Sequence, residues 1–283
     1  MAILAPRRIR LGLLLLVSLG AAYPTRATAQ PRRQRPLGVR IADSSWIAAA
    51  RLLDSGTVVV IPLGAQAKEH GPQLPLGNDY LLAEYFAARV QSAARVVVYP
   101  TVNYSFYPSF VEYPGSTTLR LPTARDMIVD IIRTIAAHGP RRFYVLNTGV
   151  STIRALEPAR DSLAATGIVM RFTDILNVGK DVEDRIRRQE GGTHADEMET
   201  SMMLYMHPEV VHMSLAVKDF HDGKGGLTAD SAKAVREGKA WSRSGIFGDA
   251  TLATRDKGRQ LVEAQLRDML KEIETLRHTP IPQ

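Results

Sequence analysis

The chain has 283 residues, 45% of them hydrophobic and 23% charged, enough apolar material for one large core and too much for a chain dominated by disorder. It holds no cysteine, which excludes disulfides and thiolate ligands, so any metal must be held by His, Asp and Glu. Much of the formal charge of +7 sits at the N-terminus: without the four arginines of residues 1–29, 32 basic residues face 29 acids, and that balance gives no electrostatic case for nucleic acid.

Residues 1–29 read as a signal peptide. Arg7, Arg8 and Arg10 precede an apolar run at 11–22, and Ala27-Thr28-Ala29 supplies a small-x-small cleavage site before Gln30. The run is shorter than the roughly 20 residues that cross a bilayer. An exported protein, periplasmic or secreted and free of the membrane after cleavage, is expected. The Arg7-Arg8 pair leaves the general and twin-arginine routes both open. Residues 30–38, with Arg32, Arg33 and Arg35 among prolines, read as a solvated linker before a single domain at 39–283.

Along that domain, the apolar runs at 57–62 (TVVVIP), 95–99 (RVVVY) and 142–146 (RFYVL) are strands buried on both faces, hence central and parallel. Between them fall helices at 79–94, with Asp79 as N-cap, and at 123–138, where Thr123 and Asp126 resemble a capping box closed by Gly139. A helix at 151–165, capped by Ser151 or Thr152, ends at Gly167, and a strand follows at 168–172. A buried helix at 198–206 and an amphipathic one at 256–277, striped with Leu261, Leu266, Leu270 and Ile273, complete an α/β pattern. In such sheets ligands bind beyond the carboxyl ends of the strands, which directs attention to the segments after Pro62, Tyr99 and Leu146.

The first of these packs Lys68, Glu69, His70 and Asp79 among Gly and Pro turn formers. An imidazole and two carboxylates suit Zn, Mn or Fe. Spacing alone favours a solvated histidine and a helix-capping aspartate.

The stretch His70-Gly-Pro-Gln-Leu-Pro-Leu-Gly-Asn-Asp79 resembles the creatininase family signature, Glu-x-His-Gly-Pro-His-Leu-Pro-x-x-x-Asp. Three further segments resemble that family in the same order: Glu112-Tyr-Pro-Gly-Ser-Thr-Thr-Leu119, His194-Ala-Asp-Glu-Met-Glu-Thr-Ser201, and Gly245-Ile-Phe-Gly-Asp249 followed by Ala253 and Gly258. The resemblance implies a three-layer α-β-α sandwich around a mostly parallel sheet and a metal-dependent amidohydrolase with one or two divalent ions. It further implies a small-molecule substrate and a homo-oligomer, by family habit a hexamer. Carried over, it makes Glu69, His70, Asp79 and Glu199 metal ligands and His194 the catalytic proton carrier.

Two departures qualify the match. The signature's glutamate, two residues before the histidine, is Lys68 here, and one extra residue separates Gly64 from His70. A bulge would return Glu69 to the ion; without one, Glu69 is a surface charge and Lys68 lies near the metal, where its ammonium opposes a cation or binds substrate oxygen. In the loop after the third strand, Asn147-Thr-Gly-Val-Ser-Thr152, Gly149 stands where the family has a ligating histidine. That loop opens a helix whose amides, with Ser151, could hold a substrate carboxylate. The expected activity is hydrolysis of a non-peptide, cyclic C–N amide bond around a single ion, and the alternative is a non-catalytic binding protein on a decayed site. The loops at 103–112 and 218–228 are the expected seats of specificity.

Overall fold

The computed structural model describes residues 35–111, 113–220, 242 and 244–282. The expected signal peptide, the linker up to residue 34, Glu112 and residues 221–228 of the second specificity loop lie outside the described residues.

Five strands, β1 (Val39–Arg40), β2 (Val58–Leu63), β3 (Val97–Val98), β4 (Arg142–Asn147) and β5 (Val169–Phe172), form one sheet in the order β1-β3-β2-β4-β5. Every pairing in it is parallel. β2 and β4 lie at the centre, register Val58 against Arg142 through Leu63 against Asn147, and all six β2 residues are buried. Alternation then sorts the side chains to two cores. Val58, Val60, Tyr144 and Leu146 pack with residues of α2 (Asn78–Ala93), α6 (Glu197–Met206) and α7 (Arg255–His278). Val59, Ile61, Leu63, Phe143 and Val145 pack with α3 (Leu121–Ala136) and α4 (Ile153–Ala164). This is the expected α-β-α sandwich. A short α1 (Trp46–Leu52) precedes β2 and α5 (Lys180–Ile186) follows β5, while β6 (Lys218–Asp219) and β7 (Gly248–Asp249) form a separate antiparallel pair. Among the described residues no helix is long and apolar enough to cross a membrane.

Three predicted helix starts differ from those observed. Asp79 is the second residue of α2 rather than its cap, Gly77 holding that position. α3 begins at Leu121, with Pro122 in its first turn and Arg120 at the cap, so Thr123 makes no capping box; proline's fixed φ prefers that first turn. α4 has no side-chain cap, because the Thr152 hydroxyl is committed to Asn147 Oδ1 at 2.5 Å and Gly149 O at 2.6 Å. Ser151 stays in the loop.

α6 and α7 approach backbone to backbone. Gly258 lies against the Ser201 carbonyl, and any Cβ there would collide with it. Gly258→Ala is therefore expected to destabilise the protein by about 3 kcal/mol, since the clash is with rigid backbone. Equilibrium denaturation measures this, and a loss under about 1 kcal/mol would show that the helices can separate cheaply.

Candidate metal centre

The loop leaving β2 returns to the sheet edge as α2 begins, which brings residues 68–70 against Asp79. His70 is fully buried. Its Nδ1 lies 2.9 Å from the Lys68 carbonyl oxygen and its Nε2 2.8 Å from Asp79 Oδ1. Both partners only accept, so both ring nitrogens donate and the ring is an imidazolium. Burial pushes the His70 pKa down, but the Asp79 charge outweighs it and the net shift is upward. The second Asp79 oxygen, Oδ2, takes the Lys68 ammonium at 2.7 Å. Asp79 is itself fully buried, yet the His70 and Lys68 charges hold its carboxyl well below the usual range.

Glu69 turns the other way. Its backbone N–H donates to Ser116 Oγ at 2.9 Å. Its carboxylate accepts from the Gly71 N–H and, at 2.9 Å, from His194 Nε2. Gly245, at φ +80°, closes over that carboxylate so tightly that any side chain there would strike it. Burial raises the Glu69 pKa, but the charge and hydrogen bond of His194 more than offset this and leave it lowered.

The third segment runs from residue 193 into α6. His194 is fixed through its backbone, which exchanges hydrogen bonds with Phe247, the Phe247 N–H reaching His194 O at 2.8 Å. Ala195 then takes φ +48°, a left-handed conformation found at no other non-glycine residue among those described. Asp196 caps α6, its Oδ1 accepting from the Met198 and Glu199 N–H groups at 2.9 and 3.0 Å. The turn reverses Glu199 so that its carboxylate accepts from the Ala195 N–H and lies 3.8 Å from His194 Nδ1. The His70 and His194 rings are 5.0 Å apart, centroid to centroid.

His70, His194 and Glu199 thus offer one donor atom each, all within 4.8 Å of one another. A cavity of about 460 Å³ opens onto the cluster, lined among others by Lys68, Ser151, His194 and Glu199. The donor set suits a divalent ion: two imidazoles and a carboxylate are the ligands zinc prefers, and three protein ligands leave a position for water or substrate. Each histidine also has one nitrogen held by an acceptor, Lys68 O or Glu69, which orients the other.

The sequence-derived ligands divide accordingly. His70 and Glu199 are in the cluster; Glu69 and Asp79 stand behind it, on His194 and His70; and His194, expected as a proton carrier, is one of the three converging groups. Lys68 and Ser151, expected to contact substrate, both line the cavity. Gly149 brings no side chain to the site. A Cβ there would sit 3.2 Å from Thr152 Oγ1 and 3.5 Å from the Tyr107 ring. Sequence reasoning missed Gln73, whose Nε2 donates to Ala195 O at 2.7 Å and to Thr200 Oγ1 at 3.1 Å, tying the β2 loop to α6. A signal was present, since Gln73 stands where the signature has its second histidine. Tyr107, buried with Lys68 over its ring, was signalled only as part of the 103–112 loop and not as a residue.

A family model described as Creatininase, creatinine amidohydrolase, matches residues 42–273. The chain belongs to the creatininase family. It is 26% identical over 263 residues to the 3-dehydro-scyllo-inosose hydrolase of Thermotoga maritima, covering 85% of this chain and 84% of the relative. It is likewise 26% identical over 235 residues to the mycofactocin precursor peptide peptidase of Mycobacterium ulcerans, covering 79% and 86%. A solved creatininase variant of the Zn-Zn type superposes with a TM-score of 0.72 at 22% identity, covering 86% of this chain and 99% of that one, which establishes the shared fold. Both relatives are named for hydrolytic reactions, which supports a hydrolytic enzyme here.

The buried charges make the metal-free creatininase-like fold pH-sensitive. Glu69 and Asp79 titrate lower in the folded chain than their ordinary 4.5 and 3.8, so their stabilisation is complete above those values and lost as pH falls through the folded ones. His70 titrates above its ordinary 6.5, so its contribution is full below 6.5 and lost as pH rises through the folded value. Thermal melts of chelator-treated protein from pH 3 to 9 are expected to show stability falling at both ends of the range, the Asp196 carboxyl, pushed up to about 7 by burial, adding to the loss as pH rises. A monotonic profile would contradict the assigned charges.

Proposed function

We propose that the chain is a metal-dependent hydrolase that opens a non-peptide, cyclic C–N amide bond of a small molecule. The carrying observation is the convergence of His70, His194 and Glu199 beneath an open cavity. These three would hold the ion, with Zn, Mn or Fe as candidates; the Zn-Zn type of a solved relative supports zinc. Such an ion polarises a carbonyl and lowers the pKa of water towards about 7.

The chain's own residues do the positioning. Lys68 O retains the His70 Nδ1 proton, so His70 would meet an ion through Nε2 by giving up the proton it shares with Asp79 Oδ1 in the metal-free chain, and Glu69 retains the proton on His194 Nε2, leaving Nδ1. A ring with one nitrogen held by Glu69 and the other given to an ion has none left for a shuttle, so the proton-carrying role read from the sequence gives way to a ligand role. The Lys68 ammonium lines the cavity and favours negative charge developing on a carbonyl oxygen there. Ser151, at the same rim, offers a hydroxyl to the substrate. The small-residue cleavage site at 27–29 supports export, and N-terminal sequencing of secreted protein is expected to read from Gln30.

One observation favours a second reading. The Lys68–Asp79 ion pair completes itself without any metal, as a decayed site that only binds a ligand would do. Zinc-loaded protein tested on a panel of cyclic amides and linear peptides separates the two: ring opening seen by mass spectrometry, abolished by chelation and restored by zinc, is expected. Cleavage of peptides alone would remove the cyclic-amide assignment, and no turnover with zinc bound would favour the binding protein.

A further inference from the structure

We infer that Lys68 is a built-in cation: its ammonium occupies the place beside Asp79 that a second divalent ion would take, so that this chain loads one ion only. The inference rests on the metal-dependent reading above and specifies its stoichiometry.

Lys68 is 7% exposed and its Nζ lies 2.7 Å from Asp79 Oδ2, while the other Asp79 oxygen is held by His70. The Glu69 carboxylate is engaged by the Gly71 N–H and by His194. Among the described residues, both Glu69 oxygens and Asp79 Oδ2 are therefore taken by proton donors, and Asp79 keeps only Oδ1, which is freed when His70 gives Nε2 to the one ion. On the far side, Gly149 adds no donor, and the space a side chain would enter from it is bounded by Thr152 and the Tyr107 ring. That ring also faces the ammonium, 5.8 Å from centroid to Nζ, an arrangement that favours a cation at this position. What remains is the set of three donors, one ion's worth. A positive charge fixed beside Asp79 neutralises the carboxylate and repels a further cation from it.

The test counts ions. Protein saturated with zinc, freed of excess by gel filtration and assayed by elemental mass spectrometry, is expected to hold one zinc per chain. Two would overturn the inference and leave the metal-dependent reading intact, whereas none would overturn both. Lys68→Glu, which replaces the ammonium with a carboxylate, is expected to raise the count to two, and a count still at one would overturn the inference. Should that variant fail to fold, Lys68→Met serves: with the cation gone and Asp79 exposed to an ion, zinc is expected to raise the melting temperature by more than it does in the unsubstituted protein. An equal or smaller shift would count against Lys68 as the second cation.

Discussion

Asp79→Ala is expected to destabilise the metal-free protein by about 3–5 kcal/mol, because it strands two buried positive charges at once. The Asp79 oxygens are the partners of the Lys68 ammonium at 2.7 Å and the His70 ring at 2.8 Å, and the aspartate itself has no exposed surface. Removing it leaves a cation and an imidazolium side by side in a low-dielectric interior, where repulsion and lost solvation add. The loss should not be simply additive with changes at the lysine. In a double-mutant cycle by urea denaturation, Lys68→Met placed on Asp79→Ala is expected to recover part of the stability, since it removes one stranded charge. A loss below about 1 kcal/mol for Asp79→Ala, or no recovery in the double variant, would mean that water or rearrangement solvates the site and that the buried ion pair has been misread.

The second large effect concerns His194. His194→Ala removes one of three converging donors, and a loss of several kcal/mol of transition-state stabilisation corresponds to a fall in kcat/KM of about 10³-fold or more, accompanied by loss of retained zinc. Glu69→Gln is the informative companion. It leaves all three donors in place and disturbs only the acceptor that orients His194, so a smaller fall of about 10- to 100-fold is expected with metal largely retained. Elemental analysis of both variants beside their kinetics tests the ligand assignment: if His194→Ala keeps its zinc and loses only kcat, the residue moves protons and does not hold the ion.

The fold was largely legible in the residues, because β2 and β4 are continuous apolar runs that only a two-sided burial explains, and the intervening amphipathic stretches leave few alternatives to helices on both faces. Helix ends were less so. Asp79, Thr123 and Ser151 all look like caps in sequence, but Asp79 is claimed by two cations and α3 starts on a proline, choices made by tertiary contacts that local patterns do not contain. The candidate site was legible in its membership and not in its pairing. Glu69, His70, Asp79, His194 and Glu199 do come together, and Lys68 shares the His70 face as alternation without a bulge requires, yet alternation cannot say that Glu69 on the other face meets a histidine 125 positions away. That pairing depends on Gly245 and Ser116, which reach the loop from distant parts of the chain.

The left-handed Ala195 has a consequence for how this pocket can change over time. Its methyl is wholly enclosed, and it separates two of the converging donors, His194 just before it and Glu199 four residues on. A branched side chain cannot adopt that conformation without strain, and glycine would relieve the backbone while leaving a void the size of the lost methyl. Either change at this one position thus carries a cost, and local sterics, whatever the substrate, hold imidazole and carboxylate at their spacing.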